Sequence, residues 1–143
     1  VRQIAFYTFE RRVHTARKEG ELTTDQLNQI WLDVSAESLG PAVKLNEGYG
    51  AFWSYIPHFI HSPFYVYAYA FGDCLVNSLY AQYEKASDGF AERYFELLKA
   101  GGSKHHSDLL KPFGLDARDP NFWSLGLSMI ERLIGELEAT DPN

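Results

Sequence analysis

The 143-residue chain has a formal net charge of -6, with 45% hydrophobic and 22% charged residues. That length holds one domain with one real core, and the balance of apolar to charged residues is that of an ordinary globular protein. The acidic excess and the lack of any lysine/arginine run argue against a nucleic-acid binder, which needs a basic face.

The chain starts at Val1 rather than Met and reads as a piece of a longer polypeptide. Val1-Arg2-Gln3 leads straight into an amphipathic pattern, so no secretory signal is read. Ile4, Phe6, Phe9, Val13 and Ala16 recur at helical spacing and predict a first helix over 2–19, with Gly20 at its C′ position. Glu10, Arg11, Arg12, Arg17 and Lys18 are assigned to its solvent side. Thr23-x-x-Gln26 is a capping box, predicting a second helix over 24–38 with Leu27, Ile30, Trp31 and Val34 inward. Gly40-Pro41 stops it, and a polar, glycine-containing loop follows to residue 50.

Residues 51–61 read as a short helix limited by Pro57. Ser62 and Pro63 then look like the N-cap and N1 of a long helix over 63–86. Its first half is apolar all round, which predicts burial on every side. The alternation of Tyr65, Tyr67 and Tyr69 also fits a strand, but the apolar pattern continues too long for one. The run from Phe59 to Leu75 is shorter than a membrane span and is interrupted by His61, Ser62, Pro63 and Asp73, so no membrane association is expected. Cys74 is the single cysteine; it excludes an internal disulfide, fits a reducing, cytoplasmic compartment and reads as a buried, inert thiol.

Further helices are predicted over 87–99, closed by Gly101-Gly102, and over 103–110, ended by Pro112 and Gly114. A last one starts at the Asp119-Pro120 cap and runs to about residue 138, with Phe122, Trp123, Leu127, Ile130, Leu133, Ile134 and Leu137 as its apolar stripe. The fold class is all-α: six to seven helices in a single helical domain over residues 1–143.

Chemistry concentrates in Trp53 to Gly72, WSYIPHFIHSPFYVYAYAFG, which holds two of the five histidines and four of the nine tyrosines without one Asp, Glu, Lys or Arg. His58 and His61 lie three apart, on one helical face, but no Glu or Asp sits between them and no His in the chain is followed by Glu. No metal site is therefore assigned. His105-His106 reads as an exposed surface pair. There is no G-x-S-x-G elbow and no glycine-rich phosphate loop. What remains is a wall of hydrogen-bonding tips: a Tyr or His beside a reacting carbonyl can donate to the developing oxyanion. Spacing alone leaves open whether these residues line a site or fill a core.

Three blocks bear on that choice: IPHFIHSPFYVYAYAFG, AERYFELLKAGGS at 91–103 and GLDARDPNFWSLGL at 114–127. In this order they resemble the C-terminal end of oligoendopeptidase F, in the thimet oligopeptidase family of zinc peptidases. RQIAFYTFERRVH at 2–14 and the helix carrying Trp31 resemble that family's segment just after its zinc site. The resemblance covers essentially the whole chain. It implies an all-helical, two-lobed enzyme in which a His-Glu-x-x-His motif and a downstream Glu bind one zinc and activate water against short peptides. None of those ligands is present here; in the family they lie upstream of the matching part. The resemblance implies that zinc belongs to the parent enzyme and that this chain binds none. It further implies that His58 to Tyr69 faces the metal and holds substrate, with Tyr69 as oxyanion donor, His58 as its partner, and His61, Tyr65 and Tyr67 as substrate contacts. The expected partners are short peptides and the remainder of the parent peptidase, and the isolated piece is expected to self-associate. The alternative from a different class is a non-catalytic helical binding module that uses the same aromatic stretch as a peptide or apolar-ligand pocket.

Overall fold

The computed structural model of the protein describes residues 1–140. Those residues form seven α-helices and two 3-10 segments, with no strand among them. The chain divides into two compact units, Val1–Phe71 and one beginning at Gly72, described in turn.

The first unit holds α1 (Arg2–Ala16), α2 (Thr24–Leu39), a 3-10 segment at Tyr49–Tyr55, the single turn α3 (His58–His61) and the start of α4 (Tyr67–Lys85). Its core is aromatic: Phe6, Phe9, Trp31, Val34, Ile56 and Val66 are buried together. Phe9 meets Trp31 edge-on, with ring centroids 5.2 Å apart, and packs on Phe59 at 5.0 Å. Such pairs add about 0.5–1.5 kcal/mol each beyond the area they bury. The Trp53 indole N–H donates to Asn28 Oδ1 at 2.8 Å and ties the 3-10 segment to α2. The capping box that opens α2 is present in both halves: the Gln26 N–H donates to Thr23 Oγ1, and the Thr23 N–H to Gln26 Oε1.

Three features of this unit differ from the periodicity reading. Helix α1 ends at Ala16, three residues early, because the chain tightens into i→i+3 bonds at Lys18, Glu19 and Gly20. Glu10, assigned to solvent, is only 2% exposed. It stands one turn on from Phe6, and so shares the apolar face whatever its charge. Helix α4 begins at Tyr67, not at residue 63. Ser62 caps the end of α3, its N–H donating to the His58 carbonyl at 3.0 Å. Phe64 then takes a left-handed backbone, φ 61°, which no right-handed helix admits. That conformation costs a non-glycine residue about 1–2 kcal/mol. The predicted all-round burial of the first half of α4 is overturned with it: Tyr65, Tyr67 and Tyr69 are 52%, 56% and 47% exposed.

The second unit continues α4 and adds α5 (Phe90–Ala100), α6 (His106–Leu110), a 3-10 turn at Lys111–Phe113 and α7 (Pro120–Thr140). Leu79, Leu110, Phe113, Leu115 and Phe122 are buried in it. Helix α5 starts at Phe90 because Gly89 turns left-handed just before it, φ 63°. Helix α6 starts at His106, three residues into the predicted 103–110, where His105 caps it, its Nδ1 accepting from the Ser107 N–H. The Asp119 cap forms as read, its Oδ1 accepting the Asn121 N–H at 2.9 Å. The α7 stripe is apolar as read, but most of it is unburied: Leu127, Ile130, Leu133, Ile134 and Leu137 are exposed, as are Phe95 and Leu98 of α5.

Helix α7 approaches α4 closely at Gly126. The buried Ser78 hydroxyl donates to the Phe122 carbonyl at 3.0 Å, and a Cβ on Gly126 would lie 2.8 Å from the Cys74 carbonyl oxygen. Backbone cannot rotate away from such an overlap. Gly126→Ala should therefore destabilise the fold by about 1–3 kcal/mol, read from the urea midpoint. Gly135→Ala, with nothing within 4 Å of the added Cβ, should stabilise it by about 0.5–1 kcal/mol. Equal midpoints for the two variants would contradict this close packing.

Candidate functional site

The segment from Ile56 to Tyr69 is fastened at three points and free between them. Ile56 and Val66 are buried in the first unit's core, and Phe59 packs against it. Pro57, with fixed φ, starts the single turn of α3, and the His61 N–H closes it on the Pro57 carbonyl at 2.8 Å. The third fastening is the corner at Phe64. Its N–H donates to Glu10 Oε1 at 2.6 Å, and its ring lies on His14 with centroids 4.6 Å apart. The second Glu10 oxygen is buried with no hydrogen-bond partner among the described residues.

This anchoring brings three predicted site residues together. His58 Nε2 lies 3.1 Å from the Tyr69 hydroxyl. The Tyr65 ring is parallel to the imidazole, 7° between planes at 6.1 Å. Tyr65 and Tyr69 meet edge-on at 5.7 Å, and so do His58 and Tyr69. Tyr65 reaches this cluster from outside α4, not from the shared helical face that its spacing implies. His58 is half-buried, while both tyrosines stand open to solvent, so the cluster is an exposed wall and not a core.

The other two predicted residues are not gathered in. His61 and Tyr67 are exposed, and neither joins the ring and hydrogen-bond cluster of His58, Tyr65 and Tyr69. Glu10 and His14, which shape the wall from α1, were missed by the sequence reasoning. The signal for Glu10 was its place four residues after Phe6; none marked His14.

In chemical terms the wall offers hydrogen-bond donors and acceptors, with no Asp, Glu, Lys or Arg among His58, Tyr65 and Tyr69. The Tyr69 hydroxyl has one hydrogen and His58 Nε2 faces its oxygen. With a proton on Nε2, the imidazole donates to the phenol oxygen and the phenol hydrogen is free for a ligand. With Nε2 bare, the phenol hydrogen is spent on His58. The residues present do not make a zinc site: among the described residues no three His, Cys, Asp or Glu side chains are grouped to hold a metal ion. Cys74 is buried, and burial pushes its thiol pKa up, with the nearby Asp73 carboxylate adding to the shift.

The sequence model of peptidase family M3 matches residues 1–129. "Oligopeptidase PepF" of Bacillus subtilis (strain 168) is 35% identical over 138 residues, covering 96% of this chain and 20% of that protein. "Oligoendopeptidase F, plasmid" of Lactococcus lactis subsp. cremoris is 31% identical over 138 residues, covering 96% of this chain and 23% of its own length. An "Oligoendopeptidase F homolog" of Borreliella burgdorferi is 34% identical over 116 residues, 80% of this chain and 20% of that protein. The chain thus spans about a fifth of the length of these relatives. No solved structure matches it.

Proposed function

Because the chain belongs to peptidase family M3, we propose that residues 1–143 form one helical domain at the C-terminal end of a longer, oligoendopeptidase F-like zinc metallopeptidase. In that enzyme the domain supplies the substrate-binding face opposite the metal. The observation that carries this is the pair of His58 Nε2 and the Tyr69 hydroxyl at 3.1 Å, held in an open wall with Tyr65 stacked on the imidazole. The relatives' names, oligopeptidase and oligoendopeptidase, support short peptides as the substrate class.

Attack on a peptide carbonyl builds negative charge on its oxygen. A hydroxyl already placed to donate there lowers the barrier, because it needs no reorganisation as the charge appears. Tyr69 has that role. His58, carrying its proton on Nε2, donates to the phenol oxygen and so polarises the hydroxyl while leaving its hydrogen for the substrate. Tyr65 holds the imidazole plane by stacking. His61 and Tyr67, exposed beside the cluster, contact the peptide backbone further along. Zinc belongs to residues of the parent outside this chain, since the donors here do not fit it.

The unburied stripes of α5 and α7 are covered by the remainder of the parent, and a separated chain self-associates through them. Among the described residues no helix is long and apolar enough to cross a membrane. The lone cysteine supports a reducing, cytoplasmic location.

In the longer enzyme, Tyr69→Phe should lower kcat about 10²–10³-fold with little change in KM, because the lost donor acts mainly in the transition state. An unchanged kcat would return Tyr69 to the scaffold. The chain expressed by itself, freed of metal by chelation, should bind no stoichiometric zinc, turn over no peptide, and scatter light with a mass that rises with concentration. Tight one-to-one zinc binding with turnover would contradict the division of labour. A concentration-independent monomer would contradict the role given to the apolar stripes.

A further inference from the structure

The geometry points to Glu10 as a positioning residue for the His58–Tyr69 pair, an inference that rests on Tyr69 being the donor proposed above. Glu10 is 2% exposed, and one of its two carboxylate oxygens has no partner among the described residues. A half-satisfied carboxylate is a poor choice for core packing, since an apolar side chain would fill the space without desolvating a charge. What the carboxylate does supply is the 2.6 Å bond to the Phe64 N–H. Phe64 is the one non-glycine residue among those described with positive φ, so its backbone persists only where its surroundings over-determine it. Helix α1 does so with two side chains one turn apart, the Glu10 carboxylate on the N–H and the His14 ring on the phenyl.

The corner's direction sets the site. Tyr65 is the next residue, and its ring lies parallel to His58. Val66 enters the core directly after it, and Tyr69 follows within the first turn of α4, at 3.1 Å from His58 Nε2. If Phe64 relaxed to a right-handed or extended conformation, the start of α4 would swing about Pro63 and the Tyr69 hydroxyl would leave the imidazole. Glu10 hydrogen-bonds to neither pair member; its bond is to the Phe64 N–H. It acts through Phe64, by reach and not by charge.

The test compares Glu10→Ala, Glu10→Asp and Glu10→Gln in the longer enzyme, each with and without Tyr69→Phe. Gln keeps the acceptor at the same reach. Asp keeps the charge but is one methylene too short, and it carries the test if the alanine variant does not fold. Alanine and aspartate should each lower kcat by about tenfold or more, since displacements of about 1 Å can cost 10²-fold. Glutamine should recover kcat to within about threefold of the parent. Amide exchange in residues 62–66 should speed up in the alanine and aspartate variants and not in the glutamine one. In the Tyr69→Phe background, Glu10→Asp should lower kcat by less than about twofold, the mark of two residues acting through one donor. A full tenfold loss in that background, loss in glutamine equal to that in aspartate, or unchanged exchange at residues 62–66 would overturn the role of Glu10 alone. If Tyr69→Phe itself leaves kcat unchanged, the donor reading fails and this inference fails with it.

Discussion

The bond from the Phe64 N–H to the Glu10 carboxylate holds a backbone that its own residue type disfavours, and the aromatic wall hangs from that corner. The chain must leave α3, reverse, and enter α4 within five residues, 62 to 66. Proline at 63 limits one dihedral, and the buried Val66 fixes where the chain re-enters the core. Between them Phe64 takes the left-handed turn, and a carboxylate on a different helix satisfies the N–H that the turn exposes. The bond offsets part of that turn's strain, and the corner leads directly into Tyr65 and the turn that carries Tyr69.

The same segment combines tight anchoring with open side chains. Ile56, Phe59 and Val66 pack in the aromatic core, while Tyr65, Tyr67 and Tyr69 are exposed. The stretch thereby presents hydrogen-bonding side chains from an anchored backbone, with no Asp, Glu, Lys or Arg among them. It supplies no metal ligand set. The chain belongs to peptidase family M3 and spans about a fifth of the length of the relatives it matches.

Much of the architecture was legible because it is local. Helical spacing marked the all-α class, the Thr23–Gln26 capping box marked the start of α2, and Asp119-Pro120 marked that of α7. The errors lie where a distant partner decides. Ser62-Pro63 has the chemistry of a helix start, yet Phe64, whose N–H donates to Glu10 54 residues earlier, is left-handed and the helix starts only at Tyr67. Glu10 itself was read by its charge instead of by its place four residues after Phe6. The α7 stripe was correctly seen as apolar, but periodicity tells which residues share a face and not what covers it. At the site, spacing and composition left core and wall open. The resemblance pointed to His58 and Tyr69, and the geometry brings them together with Tyr65, while His61 and Tyr67 stand apart from that cluster.

The central claim is that the Tyr69 hydroxyl, held by His58, meets the oxygen on which charge develops. A structure of the longer enzyme bound to a phosphinic peptide, whose tetrahedral phosphorus stands in for the attacked carbon, measures this directly. The account predicts a phosphinyl oxygen at hydrogen-bond distance, about 2.5–3.0 Å, from the Tyr69 hydroxyl, with His58 Nε2 still on the phenol oxygen. A phosphinyl oxygen held by other groups, with the His58–Tyr69 pair turned away from the inhibitor, would contradict it.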